Sequence, residues 1–227
     1  DADYSQIELR ILAHIADDKT MQQAFLSGED IHTATAAQVF GVPVDEVSHE
    51  MRRRAKAVNF GIVYGISAFS LSEDIHVPVY EAKEYMERYL STFSGVARYQ
   101  SEVVENAKAN GYVSTLMGRR RWLPELKSSN FNLRSFGERV ALNMPIQGTA
   151  ADVIKLAMIR VWKALREEGL KAKLILQVHD ELIVECPEEE TERVKELLTR
   201  EMVGVVNYTV PMKADSAAGK SWGEAKG

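Results

Sequence analysis

Apolar positions along the chain change period several times, and each change marks an element. Leu174, Ile175, Leu176 and Val178 lie before a short polar centre, His179-Asp180-Glu181, and Leu182, Ile183 and Val184 follow it. Two leucine-rich and β-branched runs around so short a centre predict a tight β-hairpin. Most of the chain instead shows a helical period. Ile7, Leu9, Ile11, Leu12 and Ile15 predict a helix over 7–15, which leaves Asp3 at the end of a strand just ahead of it. A short helix over 20–26 is closed by Ser27-Gly28, and Asp30 is placed to cap a helix holding His32 to Phe40, followed by a turn at Gly41-Val42-Pro43. A long helical pattern runs over 45–64. Ala82, Tyr85, Met86, Tyr89 and Leu90 mark another helix, ended by Phe93-Ser94-Gly95, and 96–109 a further one, stopped by Asn110-Gly111. Residues 112–116 and 121–123 predict a small hairpin around Met117-Gly118-Arg119. A helix over 130–143 should end at Pro145, with a second one starting at Gln147. The buried stripe of that second helix reads Ala150, Ile154, Ala157, Met158, Val161, Trp162 and Leu165, and Gly169 stops it. Residues 188–202 form an amphipathic helix with Val194, Leu197 and Leu198 inward; 208–214 predict a last strand, and 216–227 a polar tail.

This order predicts an α+β fold. Strands near 1–6, 173–186 and 208–214 form one antiparallel sheet, backed by helices around 132–168 and 188–202. The stretch 18–110, nearly all helix, is an insertion that makes its own lobe. With 227 residues and 45% hydrophobic content, the chain can bury one large core or two small ones. Its 33 acidic and 28 basic residues give a net charge of -5, so any site for a polyanion must be a local concentration of Lys and Arg. The single cysteine, Cys186, excludes an internal disulfide framework and fits a reducing compartment. No apolar run approaches the length of a membrane span, and no secretory signal pattern is present.

Two constellations carry chemistry. Arg52, Lys56, Phe60 and Tyr64 are spaced four apart on the predicted 45–64 helix. Each side chain therefore lies about 40 degrees round from the last, and the four form one drifting stripe. An amphipathic helix with core aromatics and solvated cations is the plain reading; phosphates at one end and a flat ring at the other is the functional one. Gly61 and Gly65 let another group approach the backbone of this helix closely. The second constellation arises if the N-terminal strand pairs beside the 174–185 hairpin, which brings Asp3 and Asp180 together. Acid at a hairpin tip can be plain solvent-facing surface. Two carboxylates in contact, however, are stable only when one is protonated or both hold a metal. Carboxylates without a His or Cys set suit Mg²⁺, a hard ion that keeps waters and binds substrate phosphates.

Four blocks bear a family resemblance: Asp3-Tyr4-Ser5-Gln6-Ile7-Glu8-Leu9-Arg10; Arg52-Arg53-Arg54-Ala55-Lys56-Ala57-Val58-Asn59-Phe60-Gly61-Ile62-Val63-Tyr64-Gly65; Asn143-Met144-Pro145-Ile146-Gln147-Gly148-Thr149-Ala150-Ala151-Asp152; and Gln177-Val178-His179-Asp180-Glu181. Together, and in this order, they resemble the palm and fingers of the bacterial family A DNA polymerases over essentially the whole chain. The resemblance implies a first part of the palm over 1–17, fingers over 18–110, and the rest of the palm over 111–227. It implies template-directed DNA synthesis, in which a primer 3′-hydroxyl takes a deoxynucleotide from a dNTP and pyrophosphate leaves, with two Mg²⁺ ions as cofactors. Asp3 and Asp180 would hold the ions, with the Tyr4 carbonyl as a backbone ligand and Glu181 beside them as a supporting acid. Lys56 and Arg52 would meet the triphosphate, with His32 near its outer phosphates. Phe60 would pack by the sugar and base, Tyr64 would stack near the templating position, and Glu8 would block a ribose 2′-hydroxyl. Gln6, Arg139, Asn143, Gln147 and His179 would contact the primer–template near its junction. The implied partners are primer–template DNA and dNTP, and the implied setting is a monomer in the bacterial cytoplasm, at the nucleoid and away from membranes.

The opening Asp1-Ala2-Asp3-Tyr4-Ser5, without Met, reads as the interior of a longer chain, and the resemblance implies an upstream thumb and exonuclease-like domain. Two other readings stay open. One is a fragment that binds nucleotide or primer–template without turnover. The other is a two-metal nuclease, which would have no use for a cation–aromatic stripe suited to an incoming triphosphate. Arg119-Arg120-Arg121 and Asp17-Asp18 read as surface, Cys186 as structural, and Met144, Met158 and Met202 as packing residues.

Overall fold

A computed structural model describes residues 1–226. In chain order its elements are β1 (Ala2–Tyr4), α1 (Ile7–Ile15), α2 (Lys19–Leu26), α3 (Ile31–Phe40), α4 (His49–Tyr64), α5 (Ala68–Ile75), α6 (Val79–Thr92), α7 (Ser94–Asn110), β2 (Tyr112–Ser114), β3 (Arg120–Trp122), α8 (Phe131–Glu167), β4 (Lys173–Val178), β5 (Glu181–Glu185), α9 (Thr191–Val203), β6 (Ala214–Ser216) and α10 (Trp222–Lys226). The fold is α+β and mostly helical, as the hydrophobic pattern predicts. Side-chain caps set several helix starts. Asp18, Asp30, Ser48 and Ser67 accept from the backbone amides of Met21, Thr33, Met51 and Ser70 at the starts of α2, α3, α4 and α5. The Ser48 cap explains why the helix expected from 45 begins at His49, after a single 3₁₀ turn over Val44–Glu46. Gly41, Gly65 and Gly111 close α3, α4 and α7 in the left-handed conformation that glycine adopts without strain.

The chain divides into two compact units, Asp1–Ile7 with Thr149–Gly227, and Glu8–Gly148. In the first, four strands form an antiparallel sheet in the order β4-β5-β1-β6. The Tyr4 hydroxyl donates to the Met202 carbonyl at 2.7 Å and ties the central strand to α9. Arg160 of α8 pairs with Glu201 of α9 at 3.0 Å. The last strand is shorter than expected: of 208–214 only Ala214 lies in it, and β6 pairs with β1 through Tyr4↔Ala214, Asp3↔Asp215 and Ala2↔Ser216. Pro211 has no amide to give a ladder. Ile154, Ala157, Val161 and Leu165 of α8 are buried as predicted, whereas Trp162 is half exposed beneath the Arg166 guanidinium, 4.8 Å from its ring. Val161 takes the inward position, and the next residue round the helix points aside.

The second unit holds α2 to α7, α1 from Glu8 onward, the β2–β3 hairpin and the first part of α8. Its core includes Ile11, Leu12, Met21, Ile31, Leu71, Ile75, Tyr89, Phe93 and Leu123. Asp17 is exposed as expected, but Asp18 is buried, contrary to the surface reading. Its carboxylate caps α2 and also accepts from the Gly95 amide at 2.7 Å, so burial leaves both oxygens satisfied. At Gly95 a Cβ would lie 2.8 Å from the Asp18 backbone, so the close approach of the two segments requires glycine.

Two helices were expected around Pro145, and there is one. α8 runs through Pro145 without a break. Proline removes one backbone donor and crowds the carbonyl four residues back. Burial on both sides outweighs that cost: Ala141 and Ile146 are buried in one unit, and Val153 and Ala157 in the other. The polar tail also contains a helix, α10, which the sequence pattern does not reveal. Among the described residues, no helix is long and apolar enough to cross a membrane.

Candidate active site

The acidic constellation forms inside the first unit. Asp3 sits in the central strand, opposite Glu181 on one side and Asp215 on the other. Asp215 is exposed and paired with Lys213 at 3.3 Å. Asp180 occupies the turn between β4 and β5, and its carbonyl accepts from the Tyr4 amide at 3.2 Å, which pins the turn against β1. That turn needs a left-handed residue, and His179 supplies it with φ 50; the Gln177 side-chain amide closes it on the His179 carbonyl at 2.6 Å. Gln6, just past β1, is likewise left-handed at φ 57. Two residues in a sparsely populated conformation therefore flank the carboxylates.

The strand pairing brings Asp3 and Asp180 into hydrogen-bond contact. Burial, and then the Asp180 charge, push the Asp3 carboxyl up to about 6. Asp3 Oδ1 is buried without a hydrogen-bond partner among the described residues. An orphaned carboxylate oxygen beside a second carboxylate is a donor set that fits a hard divalent cation. Among the described residues no group of three or more His, Cys, Asp or Glu side chains gathers to hold an ion, so a cation at this pair would need oxygens from elsewhere to complete its shell. Glu181 lies next to the pair but is committed elsewhere. It is 1% exposed, and its two oxygens accept from Trp222 Nε1 at 2.7 Å and Lys226 Nζ at 2.5 Å.

The second unit carries the stripe. Arg52, Lys56, Phe60 and Tyr64 all lie on α4, and the Phe60 and Tyr64 rings stack at 6.2 Å with planes 16° apart. Lys56 is exposed, with no ion pair among the described residues. Arg52 is held in a two-pronged pair with Asp30, at 2.9 and 3.1 Å. Burial raises the Asp30 carboxyl, but Arg52 and the Thr33 amide and hydroxyl outweigh it and hold it at about 2. His32 is buried, its Nδ1 accepting from the Asn59 amide at 3.1 Å and its ring 5.8 Å from Phe60. Burial, with Arg52 and Lys56 nearby, holds its imidazole down at about 4, so it is neutral at physiological pH. The Tyr64 hydroxyl donates to Glu8 at 3.0 Å, joining two residues that the sequence places 56 positions apart.

Arg139, Asn143 and Gln147 follow one another at four-residue spacing along α8. Arg139 lines an open cleft of about 650 Å³ with Phe60, Tyr64, Gly65 and Ser67. A Cβ on Gly65 would meet Leu142 at 3.0 Å and Arg139 at 3.4 Å, so glycine brings the end of α4 close to α8. Gln147 is exposed, and Asn143 Oδ1 is buried with no partner among the described residues. Sequence reasoning overlooked Asn59, Trp222 and Lys226, and took Asp30 only as a cap. The one available signal for the tail pair was an aromatic and a cation four apart in a polar stretch.

Residues 1–224 match the model of the family described as DNA polymerase family A. The chain is 55% identical over 225 residues to the DNA polymerase I of Bacillus caldotenax, covering 99% of this chain and 26% of that protein. It is equally similar, at 55% over 225 residues and with the same coverage, to the DNA polymerase I of Bacillus subtilis (strain 168). The chain thus spans about a quarter of the length of these curated relatives. Among solved structures, the POL domain of Pol1 from M. smegmatis, in complex with DNA primer-template and dNTP, superposes with a TM-score of 0.95 at 46% identity, covering 100% of this chain and 40% of that one.

Proposed function

The chain belongs to DNA polymerase family A, and from that premise we propose that it carries the nucleotidyl-transfer centre of a bacterial DNA-directed DNA polymerase. The observation that supports this most is the Asp3–Asp180 contact, two hard-oxygen donors with one oxygen orphaned. Asp3 and Asp180, with the Tyr4 carbonyl, would hold two Mg²⁺ ions. When bound, such ions lower the pKa of the primer 3′-hydroxyl and offset the charge of the departing pyrophosphate. Lys56, exposed and without an ion pair among the described residues, and Arg52 neutralise the triphosphate of the incoming dNTP. Arg52 exchanges the Asp30 carboxylate for a phosphate, an anion its planar fork binds equally well. His32 contributes a hydrogen bond rather than a charge near the outer phosphates, since it is neutral. Phe60 packs by the sugar and base, Tyr64 by the templating position, and Glu8 excludes a ribose 2′-hydroxyl. Gln6, Arg139, Asn143, Gln147 and His179 contact the primer–template, and Glu181 supports the acid pair from its buried position. In this reading 1–17 and 111–227 make up the palm and 18–110 the fingers, and the setting is the bacterial cytoplasm.

Extension of a labelled primer–template by one nucleotide, with Mg²⁺ at low salt and high protein concentration, tests the proposal. Template-directed extension is expected, and Asp180→Asn is expected to abolish it with an unchanged circular dichroism spectrum. Extension that survives in Asp180→Asn overturns the assignment. Shortened instead of extended primer identifies a nuclease. Nucleotide binding without extension identifies a fragment that binds but does not turn over.

A further inference from the structure

Of the acids beside Asp3 in the sheet, Asp215 is exposed and paired with Lys213, whereas Glu181 is buried. Glu181 stands opposite Asp3 in the register and follows Asp180 in the chain. Opposite residues of an antiparallel pair share a face of the sheet, so Glu181 has the position to be a third ligand. It does not become one, because α10 takes its carboxylate. Trp222 and Lys226 lie one helical turn apart and so present their polar atoms to the same place, with Lys226 Nζ also 5.5 Å from the Trp222 ring. One oxygen of Glu181 goes to each of them. The carboxylate is fully buried while the lysine is half exposed, so the lysine reaches in and the acid does not reach out. α10 is itself secured: the Glu224 carboxylate accepts from the Lys220 amide at 2.9 Å, and the Ala217 amide donates to the Asp1 carbonyl at 3.1 Å at the foot of β1.

We propose that Trp222 and Lys226 are positioning residues that hold Glu181 away from the Asp3–Asp180 pair and so keep the centre a two-carboxylate site. Such a site binds divalent cations weakly in the absence of nucleotide and leaves coordination positions for substrate oxygens. A third carboxylate would bind an isolated ion more tightly and close those positions. The inference rests on the reading of Asp3 and Asp180 as the metal-holding pair.

The test is Mn²⁺ binding to the full 227-residue chain without nucleotide, followed by the electron paramagnetic resonance signal of the free ion. Asp180→Asn is expected to weaken binding at least about tenfold, as loss of a direct ligand should. Trp222→Phe, which removes one donor and no charge, is expected to tighten it roughly threefold, and Lys226→Met about tenfold, near the lower end of what groups outside the ligand sphere change. Adding Glu181→Gln to Trp222→Phe is expected to abolish the gain. A segment of merely structural value would give weaker binding when damaged, not tighter. If Asp180→Asn weakens binding while Trp222→Phe binds as the unaltered chain does, the positioning role is wrong and the metal pair stands; tightening in Lys226→Met alone would then be a plain charge effect. If Asp180→Asn binds Mn²⁺ as the unaltered chain does, the metal-pair reading fails and takes this inference with it.

Discussion

Glu8 owes its aim to Tyr64. A glutamate side chain at the start of a helix has several rotamers open to it, and the Tyr64 hydroxyl selects one by a 3.0 Å hydrogen bond. If Glu8 is the steric gate against ribose, two variants separate its bulk from its aim. Glu8→Ala is expected to admit ribonucleotides freely. Tyr64→Phe, which keeps the ring and loses the hydroxyl, is expected to raise the ribonucleotide share by a smaller factor, about fivefold for one hydrogen bond of about 1 kcal/mol. Incorporation from matched ribo- and deoxynucleotide pools measures both. His32 gives a prediction of another kind. Its imidazole titrates near 4 in the folded protein against an ordinary 6.5, chiefly because it is buried. The unfolded chain therefore binds more protons between those values, and stability contributed by His32 is complete above about 6.5 and is lost as pH falls toward 4. His32→Gln should show a flatter dependence of melting temperature on pH between 7 and 4.5 than the unaltered chain.

Elements were legible where one local rule decides them. Asp30 caps α3 because a short acceptor precedes an apolar period, and α1 begins at Ile7 because the period does. The stripe on α4 and the juxtaposition of Asp3 with Asp180 follow from spacing and strand pairing alone. What stayed hidden depends on contacts distant in sequence. Asp18 looks like half of a surface acid pair until the Gly95 amide, 77 residues away, is seen to use its second oxygen. α10 is too short to have a period, and its hold on Glu181 spans more than 40 residues. Pro145 illustrates the opposite error, a local rule overruled by packing. A proline in a helix interior costs about 3 kcal/mol, and replacing it by Ala also returns some freedom to the unfolded chain. Pro145→Ala is therefore expected to stabilise by about 1–2 kcal/mol, which thermal melting should register as a rise of roughly 2–8 °C.

At the scale of the molecule, net charge says little about the proposed chemistry, which rests on local groups in an acidic chain. β4 is an outer strand of its sheet and shows Ile175 and Leu176 in succession, 55% and 47% exposed. Leu156 and Ile159 of α8 are also largely exposed. An outer strand with apolar residues on both faces invites pairing with other chains. Leu176→Lys is expected to lower light scattering on concentration while leaving the circular dichroism spectrum intact. The order of strands in that sheet reaches further, into how the protein is made. β1 lies between β5 and β6, yet residues 2–4 leave the ribosome long before residues 181–185 and 214–216. The carboxylate on β1 must wait, unpaired, until the chain between it and β5 has been made. Helices such as α2 to α7 can condense during that interval from nearby contacts, whereas the sheet requires closure of a loop of nearly the full length. The acidic pair is thus assembled only after the helices between its two strands have been made, and a nascent chain released early would hold a folded helical part and no pairing of Asp3 with Asp180.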